Sequence, residues 1–318
     1  MMFSGNHLCD GARRSWRAVA LVALGMLASC GGGTSQQVVF KPDRVIALGD
    51  EASVITAAGK KYSVNALDAN DALSCADQPL WTQIVASSYG YVFEACNPGG
   101  TGTVQAYTRA TVGARIDDLS AQIDAQIASG GFTSKDLVTV LVGVNDVLAL
   151  YRQFPQRDEA ALTADARAAG DRLAALVNRI VGLGPRVIIS TAPDIGLSPY
   201  ALAQKAANTD TDRAALISRL VAALNARMRV GIVNDGRLLG LVLADEAVQV
   251  MVRVPDAFAL VDVTGAACTV ALPDCTTKTL QSTVTAATAL WADGVQLGVP
   301  YHSRVGLLAQ QRALNNPF

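Results

Sequence analysis

Histidine is almost missing from this chain. Two are present, His7 and His302, and only His302 lies beyond the first thirty residues. A histidine-based zinc site therefore has no material to draw on. The later cysteines, Cys75, Cys96, Cys268 and Cys275, are not spaced as paired Cys-x-x-Cys ligands either,. Charge of one sign is also lacking: 26 Lys and Arg face 27 Asp and Glu. Without a run or stripe of cations, nucleic-acid binding has no electrostatic support. Nor does any segment after residue 30 approach the roughly 20 continuous apolar residues of a membrane span. No metal and no cofactor is expected.

What is present begins with an address. Arg13, Arg14 and Arg17 precede a short apolar run, Ala18 to Met26, and small residues follow up to Cys30. That order is the order of a secretory signal. Leu27-Ala28-Ser29-Cys30 also resembles the lipobox of bacterial lipoproteins, in which the Cys is lipidated and becomes the mature N-terminus. The resemblance implies a signal over residues 1–29, a lipid on Cys30 as the membrane partner, and a flexible tether over residues 30–40 carrying Gly31-Gly32-Gly33,. Gly31 after the Cys, rather than Asp, resembles an outer-membrane sorting pattern. In an exported chain, four further cysteines suggest disulfides. Three connectivities are possible, and sequence order favours Cys75–Cys96 and Cys268–Cys275.

Residues 41–318 read as one domain of alternating strands and helices. Short apolar runs at Arg44–Leu48, Leu137–Val142, Arg186–Ser190 and Ala259–Val263 are stopped by Gly or Pro, and Tyr91–Ala95 is a fifth candidate strand,. Helical periodicity marks Ala160–Leu183, Asp210–Val230, Ile116–Ala128 and Ser303–Leu314,. This alternation implies an α/β fold with a parallel sheet covered on both faces, a three-layer α/β/α sandwich. Ligands of such sheets bind at the carboxyl ends of the strands, so the residues after each strand matter most.

Four blocks follow in order, the first and third directly at such places. Val45 to Leu48 leads into Gly49-Asp50-Glu51-Ala52-Ser53. Thr111-Val112-Gly113-Ala114-Arg115 follows a loop. Val142-Gly143-Val144-Asn145-Asp146 ends the second apolar run. Trp291-Ala292-Asp293-Gly294-Val295-Gln296 precedes the last helix. Together with Pro193-Asp194-Ile195-Gly196, the set resembles the SGNH/GDSL hydrolases, a family of esterases and lipases acting on acyl esters. The resemblance implies a flavodoxin-like sandwich with about five parallel strands. It puts the family's oxyanion donors on Gly113 and Asn145, its triad carboxylate on Asp293, its nucleophile at position 51 and its general base at position 296. Those last two positions hold Glu51 and Gln296 instead of Ser and His.

A carboxylate is not a hydroxyl nucleophile, and a carboxamide cannot take its proton near neutrality. Losing both members of a cooperating pair costs little more than losing one. Three readings follow. The first is a degenerate homologue that binds a small molecule, an acyl ester or a partner through the former cleft. The second is an active esterase with a displaced Ser53–His302–Asp293 set. The third is an unrelated α/β binding lipoprotein. A two-carboxylate mechanism on Asp50, Glu51 and Asp293 has little support, because adjacent carboxylates point apart and no aromatic-lined sugar site is visible. For the first reading, an oxyanion hole is a set of donors aimed at a negative oxygen. Glu51 could place its own carboxylate oxygens on the Gly113 N–H and the Asn145 amide.

Overall fold

A computed structural model describes residues 40–97, 99–100 and 102–315. The expected signal, the lipidated Cys30 and the tether through residue 39 lie outside the described residues, while Phe40, given to the tether's end, is buried in the core. The polypeptide from residue 40 onward packs as one compact unit.

The main sheet is built from β1 (Arg44–Gly49), β4 (Tyr91–Phe93), β5 (Thr103–Thr108), β6 (Asp136–Leu141), β7 (Arg186–Ser190) and β8 (Leu239–Val242), in the order β4-β5-β1-β6-β7-β8. Every neighbouring pair is parallel. Two parallel neighbours need crossover helices, and helices on both faces bury both sides of the strands. That is why β1 and β6 read as unbroken apolar runs: all of β6, and all of β1 after Arg44, is buried. On one face lie α2 (Asp118–Ala128), α4 (Glu159–Gly182) and α6 (Arg213–Gly231). On the other lie α1 (Trp81–Ser87) and α8 (Val299–Asn315), with α7 (Ala244–Arg253) beside α8. Two short helices complete the set, α3 (Val144–Tyr151) and α5 (Pro199–Ala207).

The sheet has six strands rather than about five, and one expected strand is replaced. Residues 259–263 do not join the main sheet. Ala259 adopts a left-handed conformation (φ 54°), and the strand β9 begins later, at Asp262–Ala266, pairing only with β10 (Ala289–Trp291). One sheet edge is formed instead by β8, four residues long and too short to stand out as a run, and β5, whose alternation is weak, lies between β4 and β1. A short antiparallel pair, β2 (Ala66–Leu67) and β3 (Leu73–Ser74), lies in the long connection after β1. Cys75 and Cys96 are disulfide-bonded, as are Cys268 and Cys275. The segments they brace meet at buried Asn65. Its side-chain amide donates to the carbonyls of Pro273 and Cys275, at 2.9 and 3.0 Å, and its Oδ1 accepts from Lys61 N.

Candidate active site

The carboxyl ends of β1 and β6 meet at Gly49 and Leu141. Gly49 has φ +129°, and a Cβ there would stand 1.8 Å from the Leu141 carbonyl oxygen, so only glycine fits,. The chain then makes a single tight helical turn, Glu51–Ser53. Asp50 caps it, its Oδ1 accepting from Ala52 N at 3.2 Å. This turn is what points Glu51 across the strand ends. From the opposite side, the loop after β5 is tied to β1 by Thr111 N donating to Gly49 O at 3.1 Å. Asn145 stands in the first turn of α3, directly after Gly143.

These elements converge on the Glu51 carboxylate. Gly113, at φ +75°, turns its N–H toward it and donates to Oε1 at 2.6 Å. Asn145 Nδ2 donates to Oε2 at 2.9 Å, and also to the Ala114 carbonyl at 3.1 Å. One acid thus occupies both donors that the family resemblance assigns to an oxyanion. Hydrogen bonds of this kind, with one partner ionised, are about twice as strong as neutral ones. The loop is fastened at a third point, where Ile116 N donates to Asp146 Oδ2 at 3.0 Å. Burial pushes the Asp146 carboxyl up to about 6, with Asp117 adding to the effect and Arg115 and Arg172 opposing it. Burial raises Asp50 well above the usual carboxylate range too, with the Glu51 charge as the second cause, and its Oδ2 has no partner.

At the far side, Asp293 is taken up by its own turn. Its Oδ1 accepts from Val295 N at 2.8 Å and Gln296 N at 2.6 Å, while Gln296 O accepts from Ala292 N. The structure does not bring Ser53, His302 and Asp293 together. Trp81 lies between the first two. Its indole Nε1 donates to Ser53 Oγ at 3.2 Å and its backbone N donates to His302 Nδ1 at 3.4 Å. The imidazole also bonds the Leu297 backbone, and all three side chains are sealed from solvent. Burial first, and the Lys61 cation second, hold His302 down at about 3, so it is a neutral ring at any physiological pH,.

Three residues that matter here carry no motif. Gln122 on α2 clamps Gly49, accepting from its N–H at 2.7 Å and donating to its carbonyl at 2.8 Å. Its signal was a glutamine in phase with Leu119 and Ile123 on the buried stripe. Trp81 sits at the first position of α1, where its backbone N–H has no helical acceptor,. Lys61 is fully buried, its Nζ held by the carbonyls of Cys75, Asp77 and Gln78 at 3.1, 2.6 and 2.9 Å. Desolvation lowers it to about 8. No periodicity announces a buried lysine. Among the described residues, no cluster of His, Cys, Asp and Glu could hold a metal ion.

Comparison with known structures finds matches at low identity. A lipase/acylhydrolase from Enterococcus faecalis is 16% identical, covering 84% of this chain and 94% of its own, with a TM-score of 0.40. Axe2, an acetylxylan esterase from Geobacillus stearothermophilus, is 13% identical, covering 87% and 97%, with a TM-score of 0.43. A putative GDSL-like lipase from Parabacteroides merdae is 14% identical, covering 86% and 97%, at 0.38. The search of curated proteins returns no match. The family model for GDSL-like lipase/acylhydrolase matches residues 45–276, which takes in the first three blocks and stops short of Asp293. That match spans most of the polypeptide, and the chain belongs to the GDSL-like lipase/acylhydrolase family.

Proposed function

We propose that this protein is an exported, membrane-anchored member of the family that has given up ester hydrolysis, and that its former cleft is closed from within by Glu51. One observation carries the reading. Both oxygens of the Glu51 carboxylate are held by the donors that would otherwise stabilise a developing oxyanion, Gly113 N and Asn145 Nδ2. A hydrolase needs those donors free and an alcohol beside them. Here the position of the alcohol is the position of the plug. Position 296 supplies a carboxamide, which has no proton-accepting site near neutrality. The neutral, Trp81-bound His302 offers no substitute base within reach of Ser53. Any ligand or partner of the cleft would have to meet Glu51 rather than enter the hole beneath it. The lipobox at Cys30 supports anchoring through a lipid, and Gly31 favours the outer membrane.

Turnover of a p-nitrophenyl acetate or butyrate ester tests this. The unmodified protein should give no rate above that of a denatured control. Glu51→Ser combined with Gln296→His should gain hydrolysis by at least an order of magnitude, because the nucleophile and base then return together while Gly113, Asn145 and Asp293 remain. Turnover by the unmodified protein that disappears in Ser53→Ala or His302→Ala would refute the proposal.

A further inference from the structure

Along the outer side of α8, the end of α7 and the segment after it help enclose an open hollow of about 350 Å³. Its walls are apolar: Met251, Phe258, Val299, Pro300 and Leu307. Leu307 is half exposed, on the outer side of α8. A small hydrophobic hollow of this size falls within the range of ligand pockets, but apolar walls alone do not say what enters. The polar group at its lip does.

That group is Arg304, beside the Ser303 hydroxyl. Its guanidinium carbon lies 5.9 Å from the centre of the Phe258 ring. Among the described residues no carboxylate stands within ion-pair reach of it. Arginines close by are matched differently. Arg229 holds Asp245 and Glu246 at 2.7 and 3.2 Å, and Arg312 donates to the Leu241 carbonyl at 3.0 Å. On the other side of Arg304 lies a second hollow, about 230 Å³, which includes Leu243, Val250 and Leu308. The acid on its wall, Glu246, is the one already engaged by Arg229. Arg304 lines both hollows, and its place over the Phe258 ring, a wall of the first alone, turns the guanidinium toward the first. An arginine presents a planar fork of donors matched to a carboxylate, and it is weakly hydrated enough to work at an apolar lip.

We infer that this hollow is a binding site for a single-chain amphipathic carboxylate, with the aliphatic tail against Met251, Phe258 and Leu307 and the carboxylate on Arg304 and Ser303. The site is independent of the Glu51 cleft: it uses none of the same residues and makes no demand on whether esters are cleaved. Its chemistry is recognition only, with no bond made or broken.

Isothermal titration of the full-length protein with sodium decanoate, kept below its micelle concentration, tests the assignment. Saturable binding at one site is expected. Arg304→Gln should weaken it about tenfold, the size of effect expected for one charge-assisted contact. Leu307→Glu should weaken it by at least as much, through repulsion of the carboxylate and loss of tail contact. Both side chains are exposed on the outer face of α8, so melting temperatures should stay within a degree or two of the parent, and that check separates lost binding from lost folding. Decyl alcohol should bind at least tenfold more weakly than decanoate. No saturation by decanoate, or equal affinity in Arg304→Gln, overturns the inference. So does binding to phosphatidylglycerol vesicles without any response to monomeric decanoate, which would assign the face to a bilayer.

Discussion

Two corners of the strand ends treat their polar groups in opposite ways. At the Glu51 corner, the Gly113 N–H and the Asn145 amide, which the family resemblance assigns to an oxyanion, both donate to the Glu51 carboxylate. At the Trp81 corner, a serine and the lone histidine of residues 30–318 stand on either side of Trp81, whose indole and backbone N–H hold them in the interior. On the reading proposed here, the first corner has exchanged a nucleophile for an acid and remains built for an anion. The second holds the residue types of a nucleophile and a base, in a setting that uses them as packing. Residue type is therefore a poor guide to chemistry here, and the partner of each polar atom is the better one.

The comparison breaks most visibly if Trp81 is removed. Trp81→Ala leaves a cavity and strips partners from Ser53 and His302, and the expected loss is about 3–5 kcal/mol of unfolding free energy, read by urea denaturation. A loss below about 1 kcal/mol would mean that this corner is not structural.

The histidine gives the next effect, and it appears only in acid. His302 has a folded pKa of about 3 against an ordinary 6.5, so neutral burial contributes stability above pH 6.5 that is lost as the pH falls through 6.5 toward 3,. At pH 4 the loss is about 3 kcal/mol relative to neutral pH. His302→Gln removes this dependence, and its melting temperature should fall less steeply between pH 7 and pH 4 than the parent's. Parallel curves would place the imidazole in contact with solvent.

Glu51 gives a smaller effect with a different signature. Glu51→Ala removes two charge-assisted hydrogen bonds made by a buried side chain, for about 2 kcal/mol,. Formate should then return part of the lost melting temperature by binding the vacated donors. Formate should do nothing for Trp81→Ala. If it raises both variants equally, the hole has no affinity for a free carboxylate and the contrast between the corners collapses.

Much of this was legible before the structure. β1, β6 and β7 are buried on both faces and announce themselves as apolar runs, and α4 and α6 are long enough for their periodicity to be unmistakable. The family resemblance is what places Glu51, Gly113 and Asn145 together; of the three, only Glu51 and Asn145 follow strands that the sequence pattern announces. β8 escapes notice in the sequence, and residues 259–263 read there as a strand of the main sheet, for one reason: four or five residues carry too little pattern to separate a sheet edge from a connection. Trp81, Lys61 and Gln122 were missed because their roles are set by partners 28, 14 to 17, and 73 residues away. No local period encodes a contact at such distances.

Asp146 sharpens the contrast with the least force, and its sign is opposite to that of His302. Its carboxylate fastens the Gly113 loop through Ile116 N, yet burial raises its folded pKa to about 6, above the ordinary 3.8. A raised carboxyl pKa means that the folded protein binds the proton more tightly than the unfolded chain does. Asp146 therefore costs least below pH 4, and stability is withdrawn as the pH rises from about 4 to about 6. The groups facing it are Asp117, which adds to the cost, and Arg115 and Arg172, which reduce it. Asp146→Asn keeps an oxygen for Ile116 N and abolishes the titration. It should be more stable than the parent by about 1–2 kcal/mol at pH 7.5 and indistinguishable from it at pH 4. Asp50 shares the same sign and could mask the trend in the parent, so the reading to make is the difference between the two proteins across pH, not either curve alone. A variant destabilised at pH 7.5 would mean that the negative charge on Asp146 holds the loop more strongly than its burial opposes it.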